Sequence, residues 1–363
     1  MDVNEALLVL AHVVEPQDAR MGAFIDAEGP IATIDAIRRG TIPKREVDGL
    51  QARLREFSFA RALRELERSS ARLVFRDSPE WPTQLDDMKS IRPFVLWVCG
   101  TPNLRLAAIR SISMVGARNC TPYGSFIARD WSARFSDQGW VIISGGALGV
   151  DGAAHQGVLS VSGITICVLA SGVDVAYPRT HESLIANIAD SGLVISESPP
   201  GQQALRQRFL SRNRIIAALS RGTVVVEAGT RSGTTSTANF ANEFNRPLFA
   251  VPGPITSPMS AGCHQLISEG KAMLASNWEE VGFMLGDRQL TLDLPEIEVR
   301  DTDGLTSLQK AVLDAVPIRQ GKSADEVMVA TGLSLREVLS SLGVLESGGF
   351  IRQNGHLWQI VRV

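Results

Sequence analysis

Six arginines lie close together in the sequence, with a single acidic residue among them. They occupy positions 206 to 231, a stretch of 26 residues in which the acid is Glu227. A guanidinium group binds phosphate through two parallel hydrogen bonds, so this local excess of positive charge indicates an anion site. The six are Arg206, Arg208, Arg212, Arg214, Arg221 and Arg231.

A second feature suited to phosphate is the set of small residues that follow short apolar runs. Glycine lets the main chain approach a ligand, and successive N–H groups before a helix bind anions. Ser232-Gly233-Thr234 has the same character before a predicted helix, and Arg231 adjoins it. The runs end in Gly116-Ala117-Arg118, Ser144-Gly145-Gly146-Ala147, Ser171-Gly172, Ser196-Glu197, Glu227-Ala228-Gly229 and Pro252-Gly253.

Ordinary turns and helix caps explain any one of these segments, so the anion site is predicted from their combination. One continuous helix from Arg208 would place Arg212 on the same face and turn Arg214 away. If Asn213 instead caps a helix that begins at Arg214, both arginines flank its positive end. We favour the second arrangement and expect Arg118, Arg212 and Arg214 to form one phosphate site.

Other chemistry has little support in the sequence. The dinucleotide pattern GxGxxG fails at Gly116 and by one residue at Ser144, and no Walker A string occurs. No Ser/His/Asp set with an elbow motif is visible, and Asp151 and His155 share a helix face where they can bond to each other. The cysteines are scattered without a CxxC pair. We therefore expect no catalytic group, no metal and no cofactor.

Composition is that of a globular protein with more than one domain. The chain has 363 residues, 44% of them hydrophobic, and a net charge of −3. Residues 276–303 carry eight acidic and two basic side chains, so this short segment alone sets the sign. The N-terminus lacks the positive charge of a signal peptide, and the longest uncharged stretches are broken by polar residues. We expect a cytoplasmic protein without a membrane span.

Short apolar runs recur every 20 to 30 residues from Ser111 onward. They read as buried parallel strands alternating with crossover helices, which predicts an α/β fold with a Rossmann-like, doubly wound parallel sheet. We assign this domain to residues 76–286, with an additional strand at 93–100. Residues 1–75 read as a small helical module broken at Gly22, Gly29-Pro30 and Gly40.

The C-terminal part of the chain has a different pattern. An acidic linker is predicted at 287–303, followed by a domain at 304–363. Helical spacing covers Ser307–Val316, Ser323–Thr331 and Ser334–Ser347, and Asn354-Gly355 is the strongest two-residue hairpin turn. Three helices and a hairpin predict a winged-helix-like module.

Seven motifs between residues 111 and 273 resemble, in the same order, those of the bacterial DNA-processing protein A (DprA/Smf) family. The flanking modules are also similar to those of longer members, whose N-terminal module is of the sterile-alpha-motif (SAM-like) type. Leu210 departs from a common proline, and His181 and His264 depart from common asparagines. The motifs are SMVGARNCTPYG, ISGGALGVDGAAHQG, VLASGVDVAYP, ISESPPG, RFLSRNRIIAALS, VVEAGTRSGTTSTA and FAVPG.

This resemblance implies a protein that binds single-stranded DNA and has no catalytic activity. It also implies a homodimer formed through the Rossmann-like domain and the loading of a RecA-type recombinase onto DNA during natural transformation. Carried over by motif, the DNA-binding residues are Arg118, Ser144, Gly145, Gly146, Arg212, Asn213, Arg214, Ser232, Gly233 and Thr234, with Arg231 beside them.

Two alternatives remain at this stage. A Rossmann-like nucleotide phosphoribohydrolase would use the same sheet, but its loop continues into a pair of glutamates, whereas Gly233-Thr234 is followed by Thr235, Ser236 and Thr237. A ligand-sensing winged-helix regulator would read DNA with the helix at Ser334–Ser347, which carries one base and two acids. We interpret the C-terminal module as a protein-contact domain that DNA binding does not require.

Overall fold

The computed structural model of the protein describes residues 1–43, 47–230, 232–287, 304–317 and 321–361. The chain divides into two units, Met1–Leu292 and Asp293–Val363. The acidic linker predicted at 287–303 lies, apart from Asp287, outside the described residues.

Helices cover much of the described chain, and two short 3-10 segments occur at Thr83–Ile91 and Arg179–His181. The helices among the described residues are α1 (Val3–Val13), α2 (Ala19–Glu28), α3 (Pro30–Arg39), α4 (Asp48–Glu56), α5 (Phe59–Ser69), α6 (Leu104–Ile109), α7 (Pro122–Asp137), α8 (Val150–Ser160), α9 (Glu182–Ser191), α10 (Arg206–Ser211), α11 (Asn213–Leu219), α12 (Thr234–Glu243), α13 (Ala261–Ser268), α14 (Trp278–Met284), α15 (Ser307–Ala315), α16 (Ala324–Thr331) and α17 (Leu335–Ser347).

Strands in the described residues form two sheets, one in each unit. They are β1 (Arg72–Phe75), β2 (Val95–Cys99), β3 (Ser111–Val115), β4 (Val141–Ser144), β5 (Thr165–Leu169), β6 (Leu193–Ser196), β7 (Gly222–Val225), β8 (Leu248–Ala250), β9 (Met273–Leu274), β10 (Lys322–Ser323), β11 (Ile351–Asn354) and β12 (Leu357–Ile360).

The large sheet has the order β1-β2-β6-β5-β4-β3-β7-β8-β9 in the part of the chain that the structure describes. Neighbouring strands from β3 to β9 are parallel, while β2 pairs antiparallel with β6 and β1 antiparallel with β2. After β3 the chain builds outward to β6 and then returns to place β7 beside β3, which creates a switch point between these two strands. The predicted doubly wound α/β sheet is confirmed.

Hydrophobic side chains cover both faces of this sheet. Ile142 of β4 belongs to a core formed with α7 and α8, whereas its neighbours Val141 and Ile143 belong to a core formed with α11 and α12. Successive strand residues point to opposite faces, so an all-apolar run is buried on both sides only when helices cover both. This packing brings the carboxyl ends of β3, β4, β5 and β7 to one edge of the sheet.

The N-terminal helices α1 to α4 pack around a core of their own, which also takes in Phe94 beside β2, whereas Leu66 of α5 packs against a separate cluster that includes Val95 and Trp97 of β2. Helix junctions occur at Gly29 and Gly40 as predicted, but Gly22 lies inside α2 and does not break it. A Cβ atom at Gly22 would lie 1.7 Å from the Ser90 carbonyl oxygen, so glycine permits the close approach of α2 to the segment before β2. Strand β1 was not predicted.

The C-terminal unit contains α15, α16 and α17 together with β10, β11 and β12. Ser323 and Ser334 cap α16 and α17 as predicted, each within a capping box. The hairpin β11–β12 turns at Gly355, which has a left-handed φ of +64°. The elements follow the predicted order, while the assignment as a winged helix stays a prediction.

Among the described residues no single helix is long and apolar enough to cross a membrane. The pair Ala324–Thr331 and Leu335–Ser347 reaches that length only as two segments bent by 112°.

Candidate nucleic-acid interface

The switch point between β3 and β7 is filled by the protein's own Glu227. Its carboxylate accepts hydrogen bonds from the N–H (2.8 Å) and the hydroxyl (2.6 Å) of Thr121, the N-cap of α7. A Cβ atom at Gly124 would come within 2.3 Å of this carboxylate. The helix N-terminus that binds a ligand phosphate in many open α/β sheets is therefore occupied by a buried side chain.

The glycine-rich end of β4 is closed in the same way by Asp151. The N–H groups of Gly145 and Ala147 donate to the Asp151 carboxylate over 3.2 and 3.4 Å. Burial raises the pKa of this carboxyl, and the charge of Arg212 opposes the rise. The expectation that Gly145 offers a free N–H to a phosphate is wrong, because that donor already serves Asp151.

Ser144 and Gly146, also predicted to bind DNA, are buried beneath the same edge. The Ser144 hydroxyl donates to the Met114 carbonyl oxygen over 2.6 Å, and the Gly146 carbonyl oxygen lies 3.0 Å from Nδ1 of His181. These residues support the loop after β4, and their contact with DNA stays a prediction.

His155 and Asp151 do not bond to each other, in contrast to the expectation from their spacing. His155 Nδ1 lies 2.8 Å from the Thr165 hydroxyl of β5. Burial lowers the pKa of His155 to about 3, with His181 and Arg212 adding to the shift. The imidazole is therefore neutral at physiological pH and belongs to the core.

Arg212 is a buried member of the edge. Its guanidinium donates to the carbonyl oxygens of Gly145 and, over 2.7 Å, of Val168. Burial lowers its pKa, while the nearby Asp151 carboxylate raises it. The carbon of this guanidinium lies 5.6 Å from the ring centre of Phe209. Arg212 was predicted to bind phosphate, but in the structure it lies beneath Phe209 and supports that ring.

Arg214 does not join Arg118 and Arg212 at this edge. Its side chain has no exposed surface, and one terminal nitrogen donates to both carboxylate oxygens of Glu197, each over 2.7 Å. It also donates to the carbonyl oxygens of Ile91 and Ser211. The prediction that Arg212 and Arg214 flank one phosphate site is corrected, because Arg214 is directed into the protein.

Asn213 does not cap α11, which begins at Asn213 itself and has no side-chain cap. Its amide donates to the Gly233 carbonyl oxygen over 3.3 Å and so joins α11 to the start of α12. There the Ser232 hydroxyl accepts from the Thr234 N–H (3.2 Å) and donates to the Thr234 hydroxyl (2.8 Å). Arg231 lies outside the described residues.

The exposed part of the edge is an aromatic and arginine cluster that the sequence alone did not reveal. The Arg118 guanidinium lies 5.0 Å from the ring centre of Phe209, and the Tyr177 ring packs against Phe209 with centroids 5.0 Å apart. Tyr177 is 46% exposed, and Arg118 is exposed as well, as are Arg179, two residues after Tyr177, and Arg206, at the start of α10. We call these five residues the Phe209 platform. From the sequence, Phe209 could equally have been a core residue.

A family model described as DNA recombination-mediator protein A matches residues 72–285, which include β1 to β9 and every residue of the Phe209 platform. This match covers more than half of the chain. The chain belongs to the DNA-processing protein A family.

Relatives support this membership along most of the sequence. A Mycobacterium tuberculosis protein that carries the name DNA processing protein DprA is 37% identical, over 97% of this chain and 93% of the relative. Protein Smf of Escherichia coli is 34% identical over 79% of each chain. The predicted family assignment is confirmed.

Two solved DprA structures share the fold. The X-ray structure of DNA processing protein A from Streptococcus pneumoniae matches with a TM-score of 0.66 and 30% identity, covering 77% of this chain and 97% of that one. A Helicobacter pylori DprA structure, described by its single-stranded DNA binding mode, matches with a TM-score of 0.54 and 29% identity, covering 60% and 97%.

Proposed function

We propose that this protein binds single-stranded DNA at the Phe209 platform. The observation that carries the proposal is the Arg118 guanidinium stacked on Phe209, with Tyr177 exposed beside it, at the carboxyl edge of the sheet. Aromatic rings stack on any base, and arginines bind phosphates of any sequence. The single-stranded DNA binding of the H. pylori relative supports the same ligand for this chain.

The buried residues at this edge hold the platform in place. Arg212 lies against Phe209, and the loop that ends in Arg118 rests on Gly149, whose missing Cβ would lie 2.2 Å from the Ala117 carbonyl oxygen. Beside α12 the partly buried Ser232 hydroxyl, which is bonded to the buried Thr234, extends the phosphate path in this proposal. Binding by such a surface depends on salt and tolerates any sequence.

We further propose that the protein acts in the cytoplasm as a homodimer that delivers single-stranded DNA to a RecA-type recombinase, as in natural transformation. The description of the matching family as recombination mediators supports the delivery step. The two residues of β9, Met273 and Leu274, are apolar and exposed at one side of the large sheet, and Phe283 and Met284 of α14 are half exposed. Such apolar surface at a sheet edge is suited to association with a second copy.

We infer that the protein is not an enzyme. Three carboxylates near the strand ends are bound within the protein itself: Asp151 and Glu227 accept from main-chain N–H groups, and Glu197 pairs with Arg214. A phosphoribohydrolase would need acids that face a bound nucleotide, so this alternative loses its support. Incubation with ATP, AMP and other nucleotides should give no turnover, and turnover that a Glu227→Gln variant loses would contradict the inference.

The test of DNA binding compares arginines at opposite ends of the sheet. Arg118→Ala should weaken binding of a fluorescent oligo(dT) and lower the slope of log affinity against log salt by about 0.7, the value for one phosphate contact on a single strand. Arg105→Ala is the matched control. The exposed Arg105 lies on α6, which directly precedes β3 and so lies at the amino end of that strand, whereas Arg118 follows its carboxyl end. Equal affinity and slope for the wild type and Arg118→Ala would reject the proposed site.

Stacking is tested separately from charge. Phe209→Leu should weaken binding by about 1–3 kcal/mol, the value for one base stacked on an aromatic ring, without a change in the salt slope. Circular dichroism and thermal unfolding of the same preparations show whether the variant remains folded.

A further inference from the structure

Helix α10, which carries Phe209, is too short to hold its own position. It has six residues, and its N-cap Leu205 makes no side-chain capping bond. A helix of this length is unstable alone in water, so its position depends on contacts with other elements. The orientation of the Phe209 ring, and with it the Phe209 platform, follows from those contacts.

Arg208, the residue before Phe209, makes the contact that leads away from the sheet. Its Nε and one terminal nitrogen donate to the carboxylate of Glu15 over 3.2 to 3.3 Å, and the other terminal nitrogen donates to Gln202 over 3.3 Å. The Arg208 side chain is only 11% exposed. It is therefore an internal brace for α10 and has little surface to offer a phosphate.

Glu15 lies in the loop between α1 and α2, within the N-terminal helical module. A second ion pair joins it to Arg53 of α4 over 3.3 Å, so it is tied to its own module on one side and to α10 on the other. Two open clefts, of about 200 and 520 Å³, are each lined by both Glu15 and Arg208. The ion pair thus forms a bridge where packing between α10 and the N-terminal helices is loose.

We propose that Glu15 is a positioning residue for single-stranded DNA binding, acting through Arg208 on α10 and the Phe209 platform. This inference rests on the proposed function of the platform. Holding a short element in its binding geometry before the ligand arrives lowers the entropy lost on binding. The N-terminal helices keep their own core without this ion pair, so its loss should loosen α10 while they stay folded.

The experiment measures oligo(dT) affinity, its salt slope and amide hydrogen exchange in the full-length chain. Glu15→Gln should weaken binding about fivefold, which corresponds to about 1 kcal/mol. The salt slope should not change, because Glu15 touches no phosphate. Amides of residues 206–212 should exchange faster than in the wild type, and those of the large sheet at the same rate. Arg53→Gln, which removes the other partner of Glu15, should bind within twofold of the wild type.

A double-mutant cycle tests whether the effect passes through Arg208. The Glu15→Gln/Arg208→Gln protein should bind no more weakly than Arg208→Gln alone, because both changes break the same bridge. If Arg208→Gln does not fold, affinity and exchange in Glu15→Gln decide the question.

Failure of this inference can be told apart from failure of the proposed function. A wild type that does not bind oligo(dT), or an Arg118→Ala variant that binds equally well, would remove the proposed function. If Arg118→Ala binds weakly while Glu15→Gln shows wild-type or tighter affinity, or unchanged exchange at 206–212, the positioning role is overturned. Additive effects in the cycle would overturn it as well.

Discussion

Replacing Glu197 by glutamine should destabilise the protein strongly, because it removes the counter-charge of a fully buried arginine. Arg214 has no exposed surface, and Glu197 accepts two hydrogen bonds of 2.7 Å from it. The other donors of Arg214 bind the carbonyl oxygens of Ile91 and Ser211, so the guanidinium cannot turn toward water without breaking them.

The magnitude follows from the burial of the pair. Breaking a buried ion pair by removing one partner costs about 3–5 kcal/mol, since an uncompensated charge is left inside. The glutamine carbonyl can still accept one hydrogen bond, and Glu197 is 12% exposed, so we expect the lower end, about 3 kcal/mol. For the unit Met1–Leu292, whose unfolding entropy is about 0.6 kcal/mol/K, that free energy lowers the melting temperature by about 5 °C.

The assay is urea unfolding followed by far-ultraviolet circular dichroism, with Asp87→Asn as the matched control. Asp87 also pairs with an arginine, Arg246, over 2.6 Å, but its side chain is 53% exposed, so its loss should cost less than about 1 kcal/mol. Equal unfolding midpoints for Glu197→Gln and Asp87→Asn would refute the reasoning, because burial is the main difference between the two pairs.

Three further changes have defined outcomes. The Gly149→Ala variant should unfold more easily and bind oligo(dT) more weakly, because its Cβ would lie 2.2 Å from the Ala117 carbonyl oxygen. The Gly139→Ala variant is its control, since Gly139 has a similar positive φ with open space around it, and it should lose about 1 kcal/mol of stability and no affinity. His155 has a pKa of about 3 in the folded protein, below its ordinary 6.5, so the unfolded chain binds more protons between these two pH values. The stability of the wild type should therefore fall as pH drops through this window. A His155→Gln variant should lose that pH dependence when both proteins are measured by urea unfolding. Truncation after Asp287 should leave oligo(dT) affinity within tenfold of the full chain, and a larger loss in a folded, truncated protein would make the C-terminal unit part of the DNA site.

Local patterns in the sequence were sufficient for most elements of the large sheet and for much of the fold, although β1 was missed and Gly22 does not break α2. Apolar runs such as 141–144 predict buried parallel strands, and the lengths between them leave room only for crossover helices. The capping serines Ser323 and Ser334 were also predictable, because a cap depends on residues three positions apart. Of the three arginines predicted to form one phosphate site, Arg118 is exposed at the end of a strand as expected, whereas Arg212 and Arg214 are buried.

The roles of charged residues at the strand ends were decided only by tertiary structure. The sequence presents Arg214 and Arg212 as equivalent, yet one pairs with Glu197 inside the protein and the other lies beneath Phe209. Glycine-rich turns that resemble open phosphate sites are filled by Asp151 and Glu227. Spacing along a chain determines periodicity and caps, whereas the burial and the partner of a charge depend on residues far away in sequence, which meet only when the sheet is assembled.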